Sequence, residues 1–111
     1  MKKFIALYIV PASPGNTPPD PKTISTGMAA WHQWMTDHAK AIVDSGGPLG
    51  KTKRIARDGV TEIKNLLGGY VIVEAESHEA AAKMFEGHPS FTIFPGDSVE
   101  IMECLPIPSQ S

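Results

Sequence analysis

The four histidines are the main candidates for proton-transfer chemistry in this chain of 111 residues. His38 lies on the apolar stripe of a predicted helix, where burial in a pocket would tune its pKa for general-base catalysis. The alternative is a core histidine with a satisfied hydrogen bond. His32 faces solvent by its spacing, and His78 falls in the first turn of a second predicted helix, so neither is a strong candidate.

His88 and Asp97 form the second candidate for catalysis. His88 follows the second predicted helix, and Asp97 lies in the loop before the last predicted strand. Loops of an antiparallel sheet can approach one another, and an aspartate beside a histidine orients the ring and favours its charged form. Such a pair would suit a lyase or isomerase acting beside a carbonyl. The alternative is a turn aspartate after Pro95-Gly96 and a helix-end histidine favoured by the helix dipole.

Metal, thiol and phosphate chemistry have little support in the sequence. His32 and His38 do not share a helical face, and no HExxH or CxxC pattern occurs. The glycine pairs lack the strand–helix context of a phosphate loop. Cys104 is the only cysteine, which excludes an intramolecular disulfide and fits a reducing cytosol. We expect no metal, no cofactor, a half-buried structural cysteine and a cytoplasmic location.

Aromatic side chains could line a cavity for a small planar ligand. The candidates for ligand binding are Trp31, Trp34, Tyr8, Tyr70, Phe91 and Phe94. Aromatic residues at helical and strand spacing also form ordinary core, so both interpretations stay open. Phe91 and Phe94 flank a loop, where two rings are harder to bury in a monomer. They would either close a pocket or seal a dimer seam.

The charge distribution argues against nucleic acid and membrane partners. Ten basic and twelve acidic residues give a net charge of −2. The one basic cluster, Lys51, Lys53, Arg54 and Arg57, has the spacing of an exposed strand and lacks an aromatic platform or a groove-reading helix. The apolar run over 4–10 is too short for a signal-peptide core or a membrane span.

Strand and helix patterns alternate in the order β-α-β-β-α-β. A first helix is expected from a cap at Ser25 or Thr26 to the closing segment 45–48, and a second from a cap at Ser77 to Gly87. The proline-rich segment 11–24 is a loop, either functional or a semi-rigid crossover. Segment 60–67 is a strand continuation or irregular. Strands are predicted over 3–10, 50–57 with Ile55 as inward anchor, 70–75 and 98–105.

This order predicts an α+β fold of the ferredoxin-like type, a βαββαβ unit whose two helices pack on one face of a four-stranded antiparallel sheet. The first and third strands are apolar on both sides, so the second face should also be covered. A second copy of the chain is the simplest cover. We predict a single domain over 1–105, a loosely held tail over 106–111, and a homodimer that forms a dimeric α/β barrel.

Several segments resemble the YCII-related family, also called DGPF-type proteins. They are 30–35 (AWHQWM), 43–50 (VDSGGPLG), 67–75 (LGGYVIVEA) and 99–103 (VEIME). The resemblance implies a dimeric α/β barrel. Some members carry a histidine–aspartate pair, and a few relatives are lyases that remove chloride from ring-cleavage or hydroquinone-type intermediates. A histidine often follows the proline after the second helix in this family. In this chain that position is Ser90. The aspartate-glycine-proline tripeptide that names the wider group is also absent, since Asp58-Gly59 is followed by Val60.

Three functions stay open at this point. The first is a cofactor-independent lyase or isomerase in which His88 with Asp97, or His38, handles protons. The second is a non-catalytic module that holds a small apolar or aromatic ligand. The third, by fold analogy, is a cofactor-free monooxygenase. A histidine facing an open cavity beside a carboxylate would favour the first, whereas histidines pointing outward or sealed in the core would favour the second.

Overall fold

A computed structural model describes residues 1–13 and 18–108. The predicted loop 11–24 and tail 106–111 therefore lie partly outside the described residues. Within the described ranges no helix is long and apolar enough to cross a membrane. The elements are β1 (Lys2–Ile9), α1 (Pro21–Asp37), β2 (Ile42–Pro48), β3 (Thr52–Ala56), β4 (Gly59–Ile63), β5 (Leu67–Ala75), α2 (His78–Met84), α3 (Pro89–Thr92) and β6 (Ser98–Glu103).

Four strands form one antiparallel sheet in the order β2-β5-β1-β6. The two inner strands, β1 and β5, are the long apolar runs of the sequence, and β-branched and aromatic residues favour such a position. Phe4 lies opposite Val73, and Ala6 lies opposite Val71. The α+β class and the four-stranded antiparallel sheet are as predicted, and the strand order is consistent with a ferredoxin-like fold.

Helix α1 begins earlier and ends earlier than the sequence predicts. The Asp20 carboxylate caps it by accepting the Thr23 N–H at 2.7 Å, and Pro21 occupies the first turn, where a missing N–H costs nothing. Ser25 and Thr26 therefore lie inside the helix, so the predicted cap is wrong. The helix stops at Asp37 with His38 as its C-cap.

The segment after α1 is strand β2, whereas the sequence predicts the end of the helix there. Ile42 lies opposite Val73, and the non-local ladder with β5 outweighs the helical spacing of the apolar residues before it. Gly46 has a φ of +64°, and a Cβ at this position would collide with the Tyr70 carbonyl oxygen. The glycine thus permits the close approach of β2 to β5.

Strands β3 and β4 form a separate hairpin, which we call the arm (residues 51–64). The predicted strand 50–57 is therefore not part of the main sheet. Ile55 is 78% exposed, so its prediction as an inward anchor is wrong, because among the described strands β3 and β4 pair only with each other. Segment 60–67 resolves into the end of this hairpin and the start of β5.

The helices cover one face of the sheet and form the core with it. Trp34 is the link between layers, since its Nε1–H donates to the Met84 carbonyl at 2.8 Å. The predicted Ser77 cap of α2 is confirmed, with its hydroxyl accepting the Ala80 N–H. Core residues include Phe4, Ala6, Trp34, Val71, Val73, Ala75, Ala81 and Phe85.

The opposite face of the sheet carries no helix, and we call it the open face. Strand alternation assigns its residues, because side chains paired across an antiparallel ladder share a face. Ile5 pairs with Ile72 on one side and with Met102 on the other. Leu7 pairs with Tyr70 and with Glu100. The central strands are thus apolar on both faces, as the sequence indicates.

Candidate functional site

An apolar pocket of about 730 Å³ lies where β2 ends and β5 begins. Helix α1 and the loop after α3 complete its walls. Within the described residues its lining contains no acidic, basic or histidine side chain. The lining residues are Tyr8, Ile9, Val10, Pro11, Pro18, Pro19, Met28, Trp31, Ser45, Gly47, Pro48, Gly68, Gly69, Tyr70, Ser90, Phe94, Pro95 and Gly96.

Aromatic rings build one wall of this pocket. Tyr8 at the end of β1 meets Trp31 of α1 edge-on, with ring centroids 5.0 Å apart, and Phe94 lies 6.0 Å from Trp31. Such tilted and edge-on pairs are the favoured arrangement of aromatic quadrupoles. Gly27 makes room for the wall, because a Cβ there would lie 2.5 Å from the Phe94 ring.

His88 is fully buried directly behind the aromatic wall. Its ring lies edge-on to Trp31 at 4.7 Å and to Trp34 at 4.9 Å. Its Nδ1 accepts the Ser90 N–H at 3.0 Å as the N-cap of α3, so the ring proton of the neutral form is on Nε2. Burial, and then the nearby His38, lower the pKa of His88 to about 4. The imidazole is therefore neutral at pH 7.

Two buried polar atoms near the pocket have no hydrogen-bond partner in the described part of the chain. They are His88 Nε2 and Ser90 Oγ. Ser90 lies on the pocket wall, and His88 stands behind it. A buried polar group without a partner costs about 1–3 kcal/mol, so such groups mark places where a ligand or a water completes the site.

A phenol and a carboxylate meet on the open face, beside the strand ends that border the pocket. The Tyr70 hydroxyl donates to Asp44 Oδ2 at 3.5 Å, and Asp44 Oδ1 accepts the Gly46 N–H at 2.9 Å. Asp44 is exposed on β2 and lies opposite Ile72, so its carboxylate is on the open face and is not part of the pocket lining in the described residues. Across the pocket, burial raises the pKa of Tyr8 above its ordinary value, which keeps that phenol protonated.

Four of the six predicted ligand-binding residues line the pocket: Tyr8, Trp31, Tyr70 and Phe94. The other two do not. Trp34 lies in the core, and Phe91 points away on the exposed side of the short helix α3. Only Phe94 lies in the loop where the sequence places both rings, because Phe91 falls within α3.

The predicted pair of His88 and Asp97 is not joined by a hydrogen bond or an ion pair. Asp97 is exposed, its Oδ2 accepts the Ser98 hydroxyl at 2.8 Å, and its N–H donates to the Ile9 carbonyl. His88 instead turns inward as a helix cap. The two loops are close in sequence but present these side chains in different directions.

The remaining predicted groups also lie away from the pocket lining. The Nδ1–H of His38 donates to the Trp34 carbonyl at 2.9 Å, and its ring packs on Trp34 at 4.6 Å. His78 donates to the Ile101 carbonyl at 2.8 Å. Cys104 is exposed just beyond β6, so its predicted half-buried position is wrong.

Sequence reasoning missed Asp44 and Ser90 as site residues. Asp44 was assigned to the end of a helix, and only its place on β2 brings it to Tyr70. One sequence feature points to Ser90 as a site residue: it comes directly after the proline that follows the second helix. A serine there attracts attention only once its hydroxyl is known to be buried without a partner.

Comparisons with known proteins agree with this fold. The family model described as YCII-related domain matches residues 5–105. Among solved structures, the chain is similar to 5-chloro-2-hydroxyhydroquinone dehydrochlorinase from Burkholderia phenoliruptrix AC1100, in complex with 2,5-dihydroxybenzoquinone. The identity is 20%, the TM-score is 0.54, and the alignment covers 92% of this chain and 91% of that one. No curated protein sequence matches the chain.

Proposed function

The chain belongs to the YCII-related domain family, and from that premise we propose that it is a small-molecule enzyme of the lyase or isomerase type. Its substrate is a small planar compound with a carbonyl or hydroxyl oxygen. One observation carries the proposal: an aromatic pocket whose wall includes Ser90, a residue with a buried hydroxyl that has no partner among the described residues. Apolar pockets with a few polar groups are the usual form of small-molecule sites.

The pocket supports binding of a flat ring by shape and polarity. Its volume of about 730 Å³ lies within the usual range for ligand sites. Trp31 and Phe94 supply aromatic surface, and the protonated Tyr8 phenol supplies a hydrogen-bond donor. A ring oxygen that accepts from Ser90 would satisfy the buried hydroxyl.

Asp44 and Tyr70 supply the proton-transfer groups in this proposal, from the open-face side of the strand ends that border the pocket. In an elimination the Tyr70 phenol passes its proton to Asp44 and takes a proton from the substrate carbon next to the carbonyl. The C–H electron pair becomes the new double bond, and the leaving anion departs with its own bonding pair. In an isomerisation the proton returns to a different substrate atom. Ser90 donates to the carbonyl oxygen, where charge develops.

His88 has a positioning role here, in place of the proton-transfer role that the sequence suggests with Asp97. Its ring is neutral and stands behind the wall, and its Nδ1 fixes the Ser90 backbone. A base must reach the proton that it removes, directly or through one intervening group. In this proposal Asp44 reaches the substrate proton through Tyr70, whereas His88 stands behind the aromatic wall.

Chloride release from 5-chloro-2-hydroxyhydroquinone tests the lyase proposal. We expect the wild-type protein to release chloride faster than buffer, and Asp44→Asn to lower the rate by about 100-fold, as loss of a general base does. Glu86→Gln, which removes an exposed carboxylate just after the end of α2 and outside the pocket lining, is the matched control and should leave the rate unchanged. Equal rates for Asp44→Asn and the wild type would exclude Asp44 as the base.

A non-catalytic binding module is the second candidate, and the placement of the histidines favours it. His88 is sealed in the core, and the other three histidines do not line the pocket. Quenching of Trp31 fluorescence by 2,5-dihydroxybenzoquinone would report binding. Binding without release of chloride from the chlorinated analogue would support the binding module over the lyase.

We also propose that two copies pack open face to open face, as a dimeric α/β barrel in a reducing compartment such as the cytoplasm. The central residues of that face, Ile5, Leu7 and Ile72, are apolar, and soluble monomers rarely leave such a patch in water. Ile72→Asp should convert the dimer into a monomer in sedimentation velocity, whereas Glu86→Gln should not. A wild-type chain that sediments as a monomer at all concentrations would overturn the dimer.

A further inference from the structure

The arm is a two-stranded hairpin without a supporting layer. Ile55 and Val60 lie opposite each other on it, and they are 78% and 60% exposed. A two-stranded hairpin alone is marginally stable in water. Two adjacent β-branched residues in solvent near its tip therefore point to a surface that covers them.

The arm and the rest of the chain carry opposite net charge. Residues 51–64 contain five basic and two acidic side chains, which gives the arm a net charge of +3. Because the whole chain has a net charge of −2, the rest of the chain carries −5. The arm's own acids are already engaged, with Lys53 and Glu62 at 3.3 Å and Arg54 and Asp58 at 3.8 Å. The uncompensated charge of the arm is thus positive.

The open face offers an acidic and apolar margin on β6. Met102 pairs with Ile5 and is 42% exposed, and Glu100, two residues away, shares its face. Among the described residues Glu100 forms no ion pair. Positive charge and apolar side chains on the arm match negative charge and apolar side chains on this margin.

We propose that the arm packs on the β6 margin of a second copy, where Ile55 and Val60 cover Met102 and the arm's positive charge faces Glu100. This inference rests on the proposed dimer. The arm leaves the sheet between β2 and β5, at the β2 side. In face-to-face packing about a two-fold axis parallel to the strands, the β2 side of one sheet lies over the β6 side of the other. Each arm then reaches its partner's β6 by symmetry.

Cysteine cross-linking between two populations of chains tests this contact. In a Cys104→Ser background, one population carries Ile55→Cys and the other carries Met102→Cys, and the two are mixed and oxidised. We expect a disulfide-linked heterodimer on a non-reducing gel. With Ala82→Cys, an exposed site on α2, in place of Met102→Cys the cross-link should be absent. Equal yields at the two sites, or none at Met102, would overturn the contact.

The double variant Ile55→Asp/Val60→Asp gives an independent measurement. Both side chains are solvent-exposed within one chain, so thermal unfolding of the dilute protein should not change. We expect the dimer Kd to rise at least about tenfold, and the wild-type Kd to rise with salt. An unchanged Kd overturns the arm contact while the proposed dimer stands, whereas a wild-type monomer at all concentrations overturns both. Chloride release by the same variant is measured separately and reports on the proposed function.

Discussion

Replacing Trp34 with alanine should lower the free energy of unfolding by about 3–5 kcal/mol, the usual cost of removing a large aromatic residue from a core. Trp34 is only 7% exposed and packs on Phe85 at 4.9 Å and on His88 at 4.9 Å. The substitution also leaves the Met84 carbonyl without its donor. Urea unfolding followed by circular dichroism measures the loss.

Two comparisons separate packing from hydrogen bonding at this position. Trp34→Phe keeps an aromatic ring but removes the bond to Met84, so it should retain most of the stability and lose about 1–3 kcal/mol. Trp31→Ala removes the same side chain from the half-buried pocket wall and should destabilise less than Trp34→Ala. A loss below about 1 kcal/mol for Trp34→Ala would show that this ring is not part of the core.

Acidification should destabilise the protein by about 3 kcal/mol through His88 alone, since a shift of one pKa unit corresponds to about 1.4 kcal/mol. The pKa of His88 falls from 6.5 to about 4 on folding. Between these values the unfolded chain binds a proton that the folded chain does not, so stability decreases as the pH falls. The loss begins near pH 6.5 and is complete near pH 4.

The variant His88→Asn isolates this contribution. Asparagine is a good N-cap and can accept the Ser90 N–H, but it does not titrate. The variant should be less stable than the wild type at pH 7, and its unfolding free energy should depend less on pH between 7 and 4. His32→Asn, at an exposed histidine, should keep the wild-type dependence. Parallel pH profiles for His88→Asn and the wild type would show that His88 is not held neutral.

The sequence predicts those elements whose signals are local. Strand β5 contains a glycine pair near its start and is rich in β-branched residues, and α2 has a serine cap, so both are found close to where they are expected. Strand β2 was missed because its stability comes from the ladder with β5, which no local pattern reveals. The apolar character of both faces of β1 is predicted correctly, because apolar residues occupy both alternating sets of positions along the strand.

The site was predicted in the same uneven way. Aromatic spacing predicts the pocket positions of Tyr8 and Trp31, because rings on the helix-facing side of an inner strand and on the apolar side of a helix pack together. Tyr70 borders the same pocket but belongs to the open face. His88 and Asp97 share no hydrogen bond or ion pair, because sequence position places a loop but does not orient its side chains. Asp44 cannot be predicted from its local sequence, because only the pairing of β2 with β5 brings it to Tyr70.

Strands β2 and β5 are antiparallel neighbours, so a tight turn of a few residues would be enough to connect them. The excursion through β3 and β4 is thus topologically dispensable. This stretch can lengthen, shorten or change its charge in the course of divergence without disturbing the four-stranded scaffold. The arm is therefore a place where a surface feature can change while the core of the sheet stays the same.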